Sequence, residues 1–251
     1  IYWSAVDGAN RYYVYRSTTK DGTYSFLGST AKLNYTDSKA NAGTTYYYKV
    51  KALAADGTDP SLSAAVTITC RCARPVVKPS YVGASGKPYI YWSAVDGAGK
   101  YYVYRSTSKN GTYEYICYTA KTNYTDSKAV AGTTYYYKVK AISKVRSTAN
   151  SSLSAAVAVT CRCARPSVKI TTSNGDPKLT WNAVTGASQY EVYRATSKNG
   201  SYTKMFTTSN LSYTNTSAKA GTTYYYKVKA VSKVKSTANS AFSTVVSIRA
   251  R

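Results

Sequence analysis

The sequence predicts an all-β protein built as three tandem β-sandwiches in a linear array. Two observations carry that expectation. Trp3, Trp92 and Trp181 stand at a fixed 89-residue spacing, and so do three identical copies of Gly-Thr-Thr-Tyr-Tyr-Tyr-Lys-Val-Lys-Ala, at 43–52, 132–141 and 221–230. A period of that size is a domain rather than one of the roughly 20–50-residue units of a solenoid. The second observation is the composition: 29 Tyr against three Trp and three Phe, set in short alternating runs between turn signals, suits pleated strands and not βαβ units. The modules are expected at 1–70, 71–161 and 162–251, each able to bury roughly 60–65% of its unfolded surface without a metal or disulfide.

The strands follow in order, read from the third copy. Runs at 178–184, 189–194 and 201–206 come first, then a short one at 212–214, then 222–231 and 242–248. Asp21-Gly22, Asn110-Gly111 and Asn199-Gly200 separate the second and third runs, where such dipeptides supply the positive φ of a tight hairpin. Alternation sorts the faces: charged Glu191 points to solvent, so Tyr190 and Val192 point inward, as do Tyr12, Val14, Tyr101 and Val103. In the repeated block Tyr46, Tyr48, Val50 and Ala52 then face the core. Tyr47, Lys49 and Lys51 face out, with Tyr136, Lys138, Lys140, Tyr225, Lys227 and Lys229 in the other copies.

A Trp on the second strand, Tyr-x-Val on the third, and Gly-Thr-x-Tyr followed by Val-x-Ala on the sixth together resemble a fibronectin type III domain, of the kind arranged in tandem on bacterial surface and secreted proteins. The resemblance covers all 251 residues. It implies an immunoglobulin-like sandwich, an extracellular or cell-surface location, and a tyrosine corner at Tyr46, Tyr135 and Tyr224 whose hydroxyl meets main chain just upstream. Module 1 departs from the pattern. It opens at Ile1-Tyr2-Trp3, inside the second strand, and lacks the segment matching Val76 to Val82 and Ser167 to Thr172; either that strand is not included or another chain supplies it. Ile248-Arg-Ala-Arg251 completes the last strand and reads as a natural end.

Four of the five cysteines lie in two identical joints, Cys70-Arg-Cys72-Ala-Arg-Pro75 and Cys161-Arg-Cys163-Ala-Arg-Pro166, with Cys117 alone on the third run of module 2. Without Gly or Ser, each joint reads as semi-rigid. Zinc does not fit two distant C-x-C pairs in a chain with no His. Cys70, Cys72, Cys161 and Cys163 are therefore either small reduced residues or candidates for a disulfide or cross-link.

Zero His removes Ser-His-Asp and Cys-His catalysis. The ten acids fall mostly one per module in turns, where Asp21, Asp37 and Asp126 suit Asx turns, and no phosphate-loop or calcium-loop pattern occurs. No catalytic residue, cofactor or metal is expected. No apolar run approaches the ~20 residues that cross a bilayer. Charge is more informative. The formal net charge of +24 invites a polyanion, and it is distributed as +2 over 1–69 (seven basic, five acidic), +10 over 70–160 (13 and three) and +12 over 161–251 (14 and two). One loop dominates the contrast: Lys144-Val-Arg146 and Lys233-Val-Lys235 stand where module 1 carries Asp56 and Asp59. The outward Tyr–Lys stripe is either a face of amphipathic stems packed on each other or a platform for sugar rings and anionic glycan. Nucleic acid ranks low for want of a motif. The expected function is a non-enzymatic extracellular stalk or spacer; the alternatives are a protomer of a fibrous assembly and a glycan-binding accessory module of a carbohydrate-active enzyme. The expected partners are an anionic cell-wall polymer or glycan, or neighbouring copies of the chain.

Overall fold

The computed structural model describes residues 1–54 and 61–251; Asp56 and Asp59 lie outside them. In module 1, β1 (Ala9–Ser17), β2 (Ser25–Thr30), β3 (Thr45–Ala54) and β4 (Val66–Thr69) form one sheet in the order β2-β1-β3-β4. Module 2 contributes β5 (Val77–Val82), β6 (Lys87–Trp92), β7 (Ala98–Ser106), β8 (Glu114–Thr119), β9 (Asn123–Thr125), β10 (Thr134–Ser143) and β11 (Val157–Thr160). Module 3 repeats them as β12 (Val168–Ser173), β13 (Asp176–Trp181), β14 (Ala187–Ala195), β15 (Thr203–Thr208), β16 (Ser212–Thr214), β17 (Thr223–Ser232) and β18 (Val246–Arg249). Each of the last two modules pairs a three-stranded sheet, β5-β6-β9 or β12-β13-β16, with a four-stranded one, β11-β10-β7-β8 or β15-β14-β17-β18.

The core lies between the two sheets because side chains alternate across each strand. Tyr101 and Val103 on β7 stand opposite Ala141 and Val139 on β10, and all four are buried with Tyr135 and Tyr137. Trp92 reaches across from β6 and meets the Tyr101 ring at 5.3 Å, edge to face, a contact worth about 0.5–1.5 kcal/mol beyond its area. Trp181 and Tyr190 repeat it in module 3 at 5.5 Å.

Among the described residues, module 1 forms this one sheet. A single bridge, Tyr2 to Asn34, stands beside its sheet, and only Val14, Tyr46 and Tyr48 form its fully buried cluster. Val66 is 56% exposed, whereas its counterparts Val157 and Val246 are half-buried. An apolar groove of about 550 Å³ runs past Ile1, Trp3, Val50 and Ile68, on the side where β5 and β12 cover the sister modules.

The final run differs from its expected span of 242–248: the strand occupies only Val246–Arg249. Serines replace the ladder before it. Ser243 gives its N–H to the Val228 carbonyl while its Oγ accepts the Val228 N–H at 3.0 Å, and Ser240 does the same with Ala230. Ser154 with Val139 and Ser63 with Val50 make the same two-point clamp. The side chain completes the pairing, so the backbone leaves strand geometry without orphaning a buried N–H.

Candidate functional site: the tyrosine–lysine face and the joints

The outer face of each four-stranded sheet collects the aromatic and basic side chains. In module 2, β7 and β10 place Tyr102 opposite Lys140 and Tyr104 opposite Lys138, and on the other side β8 places Tyr118 and Tyr115 against the same two tyrosines. Tyr115 packs edge-on against Tyr102 and Tyr104, at 5.2 and 5.8 Å, and stays 51% exposed; Tyr118 is 65% exposed. Lys138 sits 4.1 Å over the Tyr113 ring and Lys100 lies between Tyr102 and Tyr118. Tyr136 is half-buried at the end of the stripe, paired with Ser106. The eight-side-chain field of Tyr102, Tyr104, Tyr113, Tyr115, Tyr118, Lys100, Lys138 and Lys140 has no carboxylate on it.

The other modules vary this face. Module 1 sets Lys49 and Lys51 opposite Tyr15 and Tyr13, with Tyr47 opposite Ser17, and Lys49 lies 4.6 Å over Tyr24. Module 3 sets Lys227 and Lys229 opposite Tyr193 and Glu191, with Tyr225 opposite Ala195. There Phe242 covers Tyr193 at 4.9 Å and Lys227 at 4.2 Å, and Glu191 engages Lys204 at 3.4 Å. Module 1 keeps the edge-on arrangement with exposed Phe26 against Tyr13 and Tyr15; in module 2 β8 puts Tyr115 in that place and adds Tyr118, at positions that the repeated block does not contain.

The basic loops go elsewhere. Arg146 Nη1 donates to Thr45 Oγ1 of module 1 at 3.0 Å, and Lys235 Nζ donates to Thr134 Oγ1 of module 2 at 2.7 Å. Between them and the preceding exposed Lys144 and Lys233 stand Val145 and Val234, whose methyls lie 2.9 and 2.7 Å from where a Cβ would sit on Gly43 and Gly132. Both glycines have φ near +90°, so the position excludes other residues twice, by backbone and by space. Gly-Thr-Thr is thus a notch on one module and Lys-Val-Arg/Lys the turn that fills it from the next.

The cysteines seal these joints from within. Cys70 packs on the module 1 cluster and Cys72 belongs to the module 2 core; Cys161 closes module 2 and Cys163 module 3. All five cysteines are free, and burial pushes the Cys72, Cys161 and Cys163 thiols up, which lowers the thiolate fraction that disulfide chemistry needs. The two members of each Cys-x-Cys serve different cores, so packing accounts for their spacing.

Two further constellations are structural. The Tyr46, Tyr135 and Tyr224 hydroxyls accept the N–H of Asn41, Val130 and Lys219, five residues upstream, at 3.0–3.2 Å. Asp126, buried, receives Arg105 at 2.8 Å and the Tyr137 hydroxyl at 2.7 Å on one oxygen, and the Lys128 N–H on the other. Asp37 does the same with Arg16, Tyr48 and Lys39. In module 3 the neutral amide of Asn215 takes the carboxylate's place: its Nδ2 donates to the Tyr226 hydroxyl at 2.7 Å and its Oδ1 accepts Arg194 at 3.4 Å. The Asx-turn expectation for Asp37 and Asp126 covers one of their two oxygens; the signal for the other was an Arg recurring at 16, 105 and 194. Among the described residues no group of three or more His, Cys, Asp or Glu converges as a metal site.

No family model matches the chain. Exoglucanase B of Cellulomonas fimi is 31% identical over 261 aligned residues, which take in 92% of this chain and 22% of that protein. The amylopullulanase of Thermoanaerobacter thermohydrosulfuricus is 42% identical over 62 residues, 24% of this chain and 4% of the relative. Among solved structures, an Fn3-like protein from Clostridium thermocellum is 34% identical with a TM-score of 0.31, over 35% of this chain and 92% of that one. The sheets pair three strands with four in modules 2 and 3, and every module has the tyrosine corner. These are fibronectin type III-like sandwiches. The fibronectin-like array spans about a fifth of the exoglucanase it matches. No helix among the described residues is long and apolar enough to cross a membrane.

Proposed function

We propose that this fibronectin-like array is a non-catalytic spacer in a secreted, glycan-active protein, holding whatever lies at its two ends at a set separation. The observation that carries the reading is the repeated joint. Each one packs a cysteine against both adjoining cores, seats a valine on a glycine and ties a cation to a threonine hydroxyl. A flexible tether needs none of these. The names of the two relatives supply the glycan context, and the short Gly-free linker fits a stiff connection.

Small-angle scattering tests it. The intact protein should give one narrow distance distribution, and Val145→Asp with Val234→Asp should broaden it while the folded content stays constant by circular dichroism. A wild-type distribution as broad as that of the double variant would remove the spacer reading.

A second reading adds glycan contact on module 2, favoured by the exposed tyrosine field around Tyr115 and Tyr118. Tyr offers a large, rigid apolar face with a hydroxyl at its end, at low entropic cost.

A further inference from the structure

A separate cleft lies where module 2 meets module 3. It encloses about 580 Å³, within the roughly 300–1,000 Å³ typical of small-ligand sites. Lys87, Lys128, Arg162 and Arg165 line it, and none of its lining residues is an acid. The Nε atoms of these two arginines are buried and have no hydrogen-bond partner in the protein, as is true of the three tryptophan Nε1 atoms. A buried donor left unmet is costly, more so on a charged group, and the two guanidinium groups beside two lysines with no acid favour an anionic acceptor in this cleft.

The hairpin between β5 and β6 creates this environment. Its Gly86 and Ala84 carbonyls accept the Arg162 and Arg165 N–H groups, at 2.9 and 2.6 Å, and so hold the linker against module 2. Gly86 is required by that approach, since a Cβ would meet the Arg162 and Cys163 carbonyl oxygens at 2.7 Å. The Arg162 guanidinium then rests 4.0 Å over the Tyr81 ring, and Lys87 Nζ donates to the Ala129 carbonyl. Joint 1 carries the same Cys-Arg-Cys-Ala-Arg-Pro linker; Arg71 and Arg74 are exposed there, and Arg74 Nε donates to Ser152 Oγ.

We propose that the cleft between modules 2 and 3 binds an oxyanion, specifically the carboxylate of an acidic polysaccharide. The guanidinium edge suits a carboxylate because its parallel N–H groups match two oxygens, and the two lysines add charge without competing acids. The sugar chain as carrier rests on the glycan context of the proposed function; the oxyanion rests on the cleft alone.

Calorimetric titration of the intact protein with oligogalacturonate, inorganic phosphate and a neutral cello-oligosaccharide tests this at 0.15 M salt. Oligogalacturonate should saturate one site, phosphate should compete with it, and the neutral sugar should not bind there. Arg162→Gln with Arg165→Gln should weaken binding on the order of tenfold or more. Arg71→Gln with Arg74→Gln removes the same charge from joint 1 and should change it less than about twofold. Lys128→Gln, an exposed position that leaves the joint intact, should give a smaller loss, and it decides the matter if the double variant proves misfolded. Equal losses from the two arginine pairs, no loss in Lys128→Gln or no saturation by oligogalacturonate would overturn the site. Phosphate binding without oligogalacturonate binding would overturn the polysaccharide. A scattering profile that shows a flexible array while these affinities hold would sink the spacer reading and leave the cleft standing.

Discussion

Modules 2 and 3 carry the same ten-residue block and place it in different company. Gly132 is buried under Val234, and Thr134 accepts the Lys235 ammonium. Gly221 and Thr223 are exposed; the nearest approach to a Cβ at Gly221 is Arg249 Nη2 at 3.7 Å, and Arg249 Nε donates to the Gly221 carbonyl at 2.9 Å. Arg249 stands where Thr69 and Thr160 bond Thr45 and Thr134. The same block therefore does two separable things: its tyrosines complete the module's own core, and its Gly-Thr edge receives the next module where one is present. The modules differ inside as well, since Asp126 is charged and Asn215 is not, although both meet an arginine and a tyrosine hydroxyl.

The interior difference gives the largest expected effect. Asp126→Ala strands Arg105 and the buried Tyr137 hydroxyl and should destabilise module 2 by about 3–5 kcal/mol, the usual loss when one partner of a buried ion pair is removed. Asn215→Ala removes a neutral partner and should cost module 3 about 1–3 kcal/mol. Hydrogen exchange resolved by peptide reads each module separately, which a global melt of three linked domains does not. Equal losses would mean that the carboxylate contributes nothing beyond its hydrogen bonds.

The notch gives the next effect. Gly132→Ala and Gly221→Ala both force a side chain into a positive-φ conformation, at about 1–3 kcal/mol. Gly132→Ala also drives a Cβ into Val234, adding ~1–3 kcal/mol of overpacking, which Val234→Ala should relieve. In a double-mutant cycle this coupling should be positive for Gly132 with Val234 and absent for Gly221 with Val234. Coupling of the same size at both glycines would show that the valine does not seat in the notch.

Sequence alone carried the module period, the strand order and the inward face, because period-two alternation and an 89-residue repeat are local or self-evident patterns. It did not carry the joints. Val145 reads as one apolar residue between two cations, and nothing within module 2 shows that Gly43, 102 residues earlier, is its seat. Nor did it show Tyr102, Tyr115 and Tyr118 as one surface, since they meet only through the register of β7 with β8, shifted by the bulge after Val103. Arg162 and Arg165 were hidden for the same reason: their linker repeats Arg71 and Arg74, and the β5–β6 hairpin that engages it lies far upstream in the sequence. What repeats could be read; what depends on a neighbour could not.

Acid provides the mildest way to sharpen the comparison, here between module 1 and module 3. Burial pushes the Asp37 carboxyl up, but hydrogen bonds from Arg16, Tyr48 and the Lys39 N–H, with the Arg16 charge, outweigh it and hold the carboxyl below its ordinary 3.8. A folded-state value below the unfolded one means that Asp37 contributes its full stabilisation above about pH 4 and loses it as pH falls through the depressed value. Asn215 has no proton to gain in that window. Exchange protection around Tyr48 should therefore fall on acidification from pH 5 to 2 more than protection around Tyr226, after correction for the intrinsic exchange rates. Asp37→Asn should lower module 1 stability at pH 7 and flatten its acid response toward that of module 3. If the module 1 profile kept its slope in Asp37→Asn, another carboxylate would be the titrating group, and the Arg16–Asp37–Tyr48 cluster would not be what separates the two modules in acid.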